Sequence, residues 1–351
     1  MKKLLTSLFL ALSFGVAHAD YTMIVPQSVG GGTDIWARIV AKHLEKKLGE
    51  KIIIRNIPGV NDIPGFNEFH NSLRKDPKTI MVAHGGNAES YLLHNVDYDY
   101  SQYQPIGLQN LSIIVGHRND RDVYKHINFS AGSGMNPDVM AMTLLVCGPN
   151  KTMQEYLACY KDKITYVKGM KGNERRLAYM RGELNVTRET TAAYFKHSRK
   201  VTQNVDWFSH GVLDIKTGKV VQDKNFPGIS FQEVYKKKWG VAPSGEMYDA
   251  YLLVKSYRDV LQKSLWMDKG SVNAPKVIAA LKSMSEDPES VSEINKDTGE
   301  YEWIIGNDVN KAMRSLSSLT NPKTLKNLVW FTSLALDQEA YYKSEIGGVK
   351  L

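Results

Sequence analysis

Gly30-Gly31-Gly32-Thr33-Asp34 is the densest group of residues suited to holding a ligand in this 351-residue sequence. It follows the apolar, β-prone run Tyr21-Thr22-Met23-Ile24-Val25, which Pro26 ends. It precedes a helical pattern of Ile35, Ile39, Leu44 and Leu48 that Gly49 stops. A strand, a glycine loop and a helix start, in that order, bring backbone N–H groups and the positive end of a helix against a negative charge. Gln27, Ser28, Gly31, Gly32, Thr33 and Asp34 are therefore candidate ligand contacts. Capping the helix is an equally good use of Thr33 or Asp34. An Asp34 that faces the site repels a carboxylate unless it caps the helix or receives a hydroxyl or ammonium of the ligand. The loop lacks the Gly-Lys-Ser/Thr ending of a nucleotide phosphate loop and does not match the dinucleotide fingerprint.

Three more segments have the same character. His84-Gly85-Gly86-Asn87 follows the strand-like run Thr79 to Ala83, so His84, Gly85 and Asn87 are expected at the carboxyl edge of a sheet. Ser133-Gly134-Met135-Asn136 repeats the construction later in the chain, with Ser133, Met135 and Asn136 as candidates. Lys171, in the loop Gly169 to Asn173, offers a point charge. Arg188 offers a two-pronged clamp for a carboxylate. A surface or structural ion pair is the competing role for both. Catalytic arrangements are absent from the sequence: no His-Glu-x-x-His, no Gly-x-Ser-x-Gly elbow and no assignable nucleophile beside His84. The expectation is a binding protein with no catalytic residues, no metal and no cofactor.

These loops need elements to hold them. Strands are expected at Lys51 to Arg55, Leu111 to Gly116, His126 to Phe129 and Ile164 to Val167. Helices are expected at Phe66 to Leu73, Met140 to Val146, Glu174 to Arg181, Met247 to Leu265, Pro275 to Ser285 and Val309 to Leu316. Alternation of strands and helices implies α/β domains with largely parallel sheets. The expected partition is a first domain of residues 20–120 and 240–351 and a second of 121–239.

Lys2 and Lys3, the apolar stretch Leu4 to Val16 and Ala17-His18-Ala19 read as an export leader cleaved after Ala19. Cleavage leaves 351 − 19 = 332 residues, which favours two domains. With 42% hydrophobic and 23% charged residues, the composition is that of an ordinary globular protein. The formal charge of +8 becomes 8 − 2 = +6 without Lys2 and Lys3, an excess that attracts anions. Basic residues are dispersed rather than gathered in a stripe, so no nucleic-acid partner is expected. Cys147 and Cys159 are the only cysteines, and in an oxidising compartment a disulfide between them is the favoured expectation over two buried thiols.

Taken in order, several islands resemble the solute-binding component of tripartite tricarboxylate transporters. They are Ile24 to Asp34 with Arg38 and Leu48-Gly49, Asn56-Ile57-Pro58-Gly59-Val60 through Gly65, and Gln104-Pro105-Ile106-Gly107. Gly132-Ser133-Gly134, Tyr166-Val167-Lys168-Gly169 and Arg181-Gly182-Glu183-Leu184 continue the series. The resemblance implies a bilobal periplasmic-binding-protein fold of two doubly wound domains with two crossovers. It implies a monomer in the periplasm of a Gram-negative bacterium that delivers a small organic acid to two membrane subunits. Ligand contacts would come from residues 27 to 34, 84 to 88, 133 to 136 and 188 to 191, which adds Thr191. Gln27-Ser28, Asn61-Asp62 and Asp76-Pro77-Lys78-Thr79 depart from the family pattern, so citrate does not follow by analogy. A sugar, an amino acid or an aromatic acid is the alternative cargo, and a secreted hydrolase a more distant alternative.

Overall fold

The computed structural model describes residues 20–350, except 94, 131–135, 202, 215–216, 218, 227, 313–320, 338–344 and 347–348. The strands are β1 (Tyr21–Val25), β2 (Ile52–Asn56), β3 (Thr79–Ala83), β4 (Tyr103–Gln109), β5 (Ile113–Arg118), β6 (Ile127–Phe129), β7 (Ile164–Tyr166), β8 (Val186–Thr190), β9 (Val205–Ser209), β10 (Val212–Asp214), β11 (Lys219–Val221), β12 (Ile229–Ser230), β13 (Lys263–Asp268) and β14 (Trp303–Ile305). The helices are α1 (Gly32–Leu48), α2 (Ile63–Glu68), α3 (Gly86–Leu93), α4 (Pro137–Cys147), α5 (Met153–Lys163), α6 (Gly172–Arg181), α7 (Thr191–Ala193), α8 (Phe231–Trp239), α9 (Glu246–Val260), α10 (Ala274–Glu286), α11 (Pro288–Thr298) and α12 (Pro322–Leu336). No helix among the described residues is long and apolar enough to cross a membrane.

Two sheets define two lobes. The first runs in the order β14-β4-β13-β3-β1-β2 and the second in the order β12-β9-β5-β8. In the first lobe, Trp36, Val40, Leu44 and Leu48 of α1 bury one helix face against β1 and α10. Each fully buried large apolar side chain contributes roughly 1.5–3 kcal/mol. In the second lobe, α4 is buried at every position, beneath α5, α8 and α9, with α12 packed on α5 and α9. Cys147 closes α4 onto α5 through a disulfide with Cys159, their Cα atoms 6.0 Å apart. Confining a loop of that sequence separation, 12, contributes about 3 kcal/mol in the chain-entropy account.

Several expectations change. β1 pairs in parallel with β2 and β3, but β13 runs antiparallel between β3 and β4, and β5 runs antiparallel to both β8 and β9. Both sheets are therefore mixed rather than largely parallel. The helix expected over Met247 to Leu265 stops at Val260, and Lys263–Asp268 is a wholly buried strand. Its apolar residues continue the spacing of α9, and no glycine or proline marks the break. The chain leaves the first sheet after Gln109 and enters the second at Ile113, inside the segment expected in the first domain. α9 and α12 also bury their faces in the second lobe. An apolar helix face reads the same whichever core receives it, so the sequence carried no signal for that placement.

The crossing from β4 to β5 lies beside the segment that leaves β9 for β10. Ser112 Oγ is 2.9 Å from Ser209 Oγ, and Asn110 Nδ2 donates to the Leu213 carbonyl at 2.6 Å. α9 ties them down: Lys255 Nζ donates to the Gly211 carbonyl at 2.9 Å, and the Leu213 N–H donates to Asp259 at 2.8 Å.

Candidate functional site

After β1 the chain turns through Gln27 to Gly31 and enters α1. Asp34, a candidate contact, is turned to another task. Its carboxylate accepts the Gly30 N–H at 2.8 Å, Arg38 Nε at 3.0 Å and Asn56 Nδ2 at 2.9 Å, while Asn56 also donates to the Gln27 carbonyl at 2.9 Å. Burial pushes this carboxyl up, but the hydrogen bonds from Arg38, Gly30 and Asn56 hold it below its usual value. Asp34 thus straps the glycine loop to β2. Gly30 has φ 79°, a left-handed turn that glycine adopts without strain. Beyond it, the first-turn N–H groups of α1 have no acceptor within the helix.

The loop after β3 supplies a second wall. The Gly86 N–H donates to His84 Nδ1 at 3.1 Å, which leaves Nε2 as the protonated ring nitrogen, and that nitrogen hydrogen-bonds to Asp62. The Gln27 amide lies 2.8 Å from the same nitrogen, and Asn87 donates to Asp62 at 3.2 Å while accepting the His84 N–H at 2.7 Å. Burial pushes the His84 imidazole below its usual pKa, against the opposing pull of Asp62. Gly85 is needed for packing, because a Cβ there would lie 2.6 Å from the Arg258 backbone.

The second lobe brings a chain of buried polar groups to the same junction. Arg188, on β8, pairs with Asp138 through Nε at 2.7 Å. Asp138 bonds His210 Nε2 at 2.9 Å, and His210 Nδ1 is 3.1 Å from the Tyr251 hydroxyl. Burial opposes ionisation of Asp138, yet the Arg188 charge and the His210 bond hold its carboxyl far below the usual range. Asn136 caps α4 with its side-chain oxygen, 3.2 Å from the Asp138 N–H. Asn136 Nδ2, Thr187 Oγ1, Thr191 Oγ1 and Arg188 Nη2 are buried with no hydrogen-bond partner among the described residues. Buried groups in that condition cost stability unless something else satisfies them.

The lobes meet here. A Cβ added to Gly32 would sit 2.1 Å from Thr190 Oγ1, so the start of α1 is pressed against the end of β8. Between them lies Lys263, the first residue of β13, which is 1% exposed. Its Nζ donates to Thr33 Oγ1 at 3.0 Å. Burial, then repulsion by Arg188 and Arg258, pushes the Lys263 amine down to about 7, with Asp62 opposing. Arg175, also buried, donates to the Arg188 carbonyl at 3.3 Å and is pushed down to about 10, mainly by burial and then by Arg188. Among the described residues, Arg175, Arg188 and Lys263 thus gather near Asp62 and Asp138, three cations against two carboxylates when Lys263 is protonated. Glu189 also acts on Arg175, but Arg176 pairs with it at 2.8 Å, so counting both leaves the balance unchanged. The arrangement suits an anion.

Of the expected contacts, Gln27, Gly32, Thr33, His84, Asn87, Asn136, Arg188 and Thr191 come together at or beside this junction, with Ser28 and Gly31 on the loop leading to it. Lys171 does not: it is exposed, at the cap of α6. Ser133 and Met135 lie outside the described residues, as does the expected leader of residues 1–19. Sequence reasoning missed Lys263, Arg258, Asp62, Asp138 and His210. Lys263 was hidden by the helix extended through it. Asp138 stands two residues after Asn136, where an acidic residue in a helix's first turn reads as dipole compensation. No group of three or more His, Cys, Asp or Glu side chains able to hold a metal occurs among the described residues.

Comparison with solved structures bears on the fold. The chain is similar to the periplasmic binding protein BugD, with a TM-score of 0.58 and 18% identity over 94% of this chain and 98% of that one. It is also similar to MatC from Rhodopseudomonas palustris with bound malate, with a TM-score of 0.59 and 14% identity over 90% of this chain and 98% of that one. A further R. palustris protein, solved with adipate, gives a TM-score of 0.60 and 11% identity over 90% and 97%. The fold is the bilobal α/β fold of periplasmic binding proteins. No protein-family model matches the chain, and no curated protein matches it.

Proposed function

We propose that this protein captures a small organic anion, a carboxylate, between its two lobes, and hands it to the membrane subunits of a tripartite transporter. One observation carries the reading: buried Arg188 and Lys263 collect with polar groups that have no hydrogen-bond partner among the described residues, where Gly32 of one lobe abuts Thr190 of the other. Isolated buried charge is strongly disfavoured, and a bound carboxylate compensates it. Arg188 is a planar fork paired in charge with Asp138, and its Nη2 has no hydrogen-bond partner among the described residues, which suits it to a carboxylate. The unpartnered amide of Asn136 and hydroxyls of Thr187 and Thr191 supply neutral donors around it. Malate and adipate in two structures of the same fold support this class of cargo.

The mechanism is differential binding. The first lobe offers the N–H groups opening α1 together with Thr33 and Lys263. The second offers Arg188, Asn136 and Thr191. Closure shuts the anion away from water, where each charged contact is stronger, and the anion stabilises the closed form by as much as it prefers it. Delivery fits an exported, monomeric protein freed of its leader after Ala19, and nothing in the capture step calls for a cofactor.

Thermal unfolding of the mature protein against acetate, malate, adipate, citrate, amino acids and neutral sugars, at equal ionic strength, tests the reading. A saturable rise with one or more carboxylates is expected, because a ligand of the folded state raises its stability by linkage. A rise with neutral sugars alone would overturn the anion assignment. Turnover of an added solute would favour the hydrolase.

A further inference from the structure

Lys263 is used by none of the carboxylates around it. Its Nζ has one hydrogen bond, to the hydroxyl of Thr33, and makes no ion pair within 4.0 Å among the described residues. Yet the side chain is buried, at the first position of a strand hydrogen-bonded on one side to β3 and on the other to β4. A structural lysine at such a depth is expected to have a carboxylate, as Lys255 has Asp259. The groups that act on Lys263 come from every side. Arg188 reaches it from β8, Arg258 from α9 and Asp62 from the turn before α2, while His84, after β3, feels its charge in return. Asp62 is committed to His84 and Asn87, and Asp138 to Arg188 and His210. No carboxylate among the described residues is left to supply the counter-charge of Lys263.

Resting on the reading of the protein as an anion receptor, we propose that Lys263 contacts the ligand directly and is protonated as the ligand binds, so that capture takes up one proton. The lysine is then a charge-regulated contact. In the ligand-free site, burial and the two arginines disfavour its ammonium form, the amine being pushed down to about 7. An acidic oxygen of the ligand beside Nζ reverses that balance and returns the pKa toward the ordinary lysine value of about 10.4. The proton comes from solvent and goes to Nζ; no other bond changes. Below pH 7 the lysine is already charged and affinity is level. Above it, affinity falls by about tenfold per pH unit until the bound-state pKa is passed. The device also selects: a neutral solute cannot recharge Lys263, so it meets a buried amine that no carboxylate among the described residues compensates.

Calorimetry distinguishes this from the underlying reading. Acetate, malate, adipate and citrate are titrated into the mature protein at pH 7.0 and pH 8.5, each in buffers of different ionisation enthalpy, and the slope of heat against that enthalpy counts protons. The expected result, for every acid that binds, is uptake of about half a proton at pH 7.0 and close to one at pH 8.5. Lys263→Arg, permanently charged, should bind with no uptake. Lys263→Met should bind more weakly with no uptake, both variants first being shown to melt cooperatively. Binding without proton uptake, or uptake that persists in Lys263→Arg, overturns the proposal while leaving the receptor intact. Binding of none of the four acids by the unaltered protein overturns the receptor reading, and the proposal with it.

Discussion

Gly32→Ala should separate ligand closure from folding. Gly32 is the first residue of α1, and its φ lies outside the left-handed region, so alanine fits the backbone and slightly favours the helix. The obstacle is across the junction. The new methyl would lie 2.1 Å from Thr190 Oγ1 and 3.2 Å from Thr190 Cβ and Cγ2, where a comfortable C···O approach is about 3.4 Å. Rotating Thr190 exchanges its hydroxyl for its methyl in the same space, and it surrenders the cap that Oγ1 provides to the Ala193 N–H at 3.4 Å. Relief therefore comes from parting the lobes. Overpacking of this kind costs about 1–3 kcal/mol, which corresponds to a loss of carboxylate affinity of roughly 5- to 150-fold. Calorimetric titration measures the loss, and a thermal melt without ligand checks that the lobes remain folded. Gly32→Ala/Thr190→Ala, which removes the hydroxyl, should recover most of the affinity in a double-mutant cycle. Unaltered affinity in the single variant would refute the argument that this contact belongs to the ligand-holding state, as would a failure of the second substitution to restore it.

Two further outcomes follow from buried polar groups. Asp34→Ala removes the acceptor of three hydrogen bonds and should lower unfolding stability by about 2–4 kcal/mol in denaturant titration, with weaker ligand binding because the glycine loop is released; a stability change under about 0.5 kcal/mol would contradict the strap. His84 and His210 are held below the ordinary histidine pKa by burial, so the unfolded chain binds protons that the folded one refuses. Their contribution is present above about pH 6.5 and is lost as the pH falls toward the folded-state values, by up to about 2 kcal/mol each at pH 5. Denaturant midpoints level from pH 7 to pH 5 would contradict it.

The parts of the site that sequence revealed are those written in local patterns. A strand, three glycines and a helix start are contiguous, so the loop Gln27 to Asp34 could be placed at a sheet edge without knowing the partner lobe. Arg188 could be singled out as a candidate, although its Asp138 partner is 50 residues away and unlinked by any spacing rule. Asp34 was ambiguous because a carboxylate one turn into a helix caps, straps or repels by the same residue type. Its role depends on Asn56 and Arg38, which only the folded strand order brings together. Lys263 was illegible for a different reason. Its strand is wholly buried and follows a helix whose apolar spacing it continues, so neither period 2 nor a breaker announces it. The two-lobe layout followed from length and alternation, but α9 and α12 lie in the second lobe because of packing, which periodicity does not address.

The central claim is that buried charge holds the cargo. Its most direct test is calorimetric titration of the mature protein with the carboxylate that stabilises it most and with the neutral primary amide of the same skeleton. The account expects one saturable site for the acid and binding at least roughly 10- to 100-fold weaker for the amide, the worth of the charge-assisted bonds lost. Equal affinity for acid and amide would contradict it.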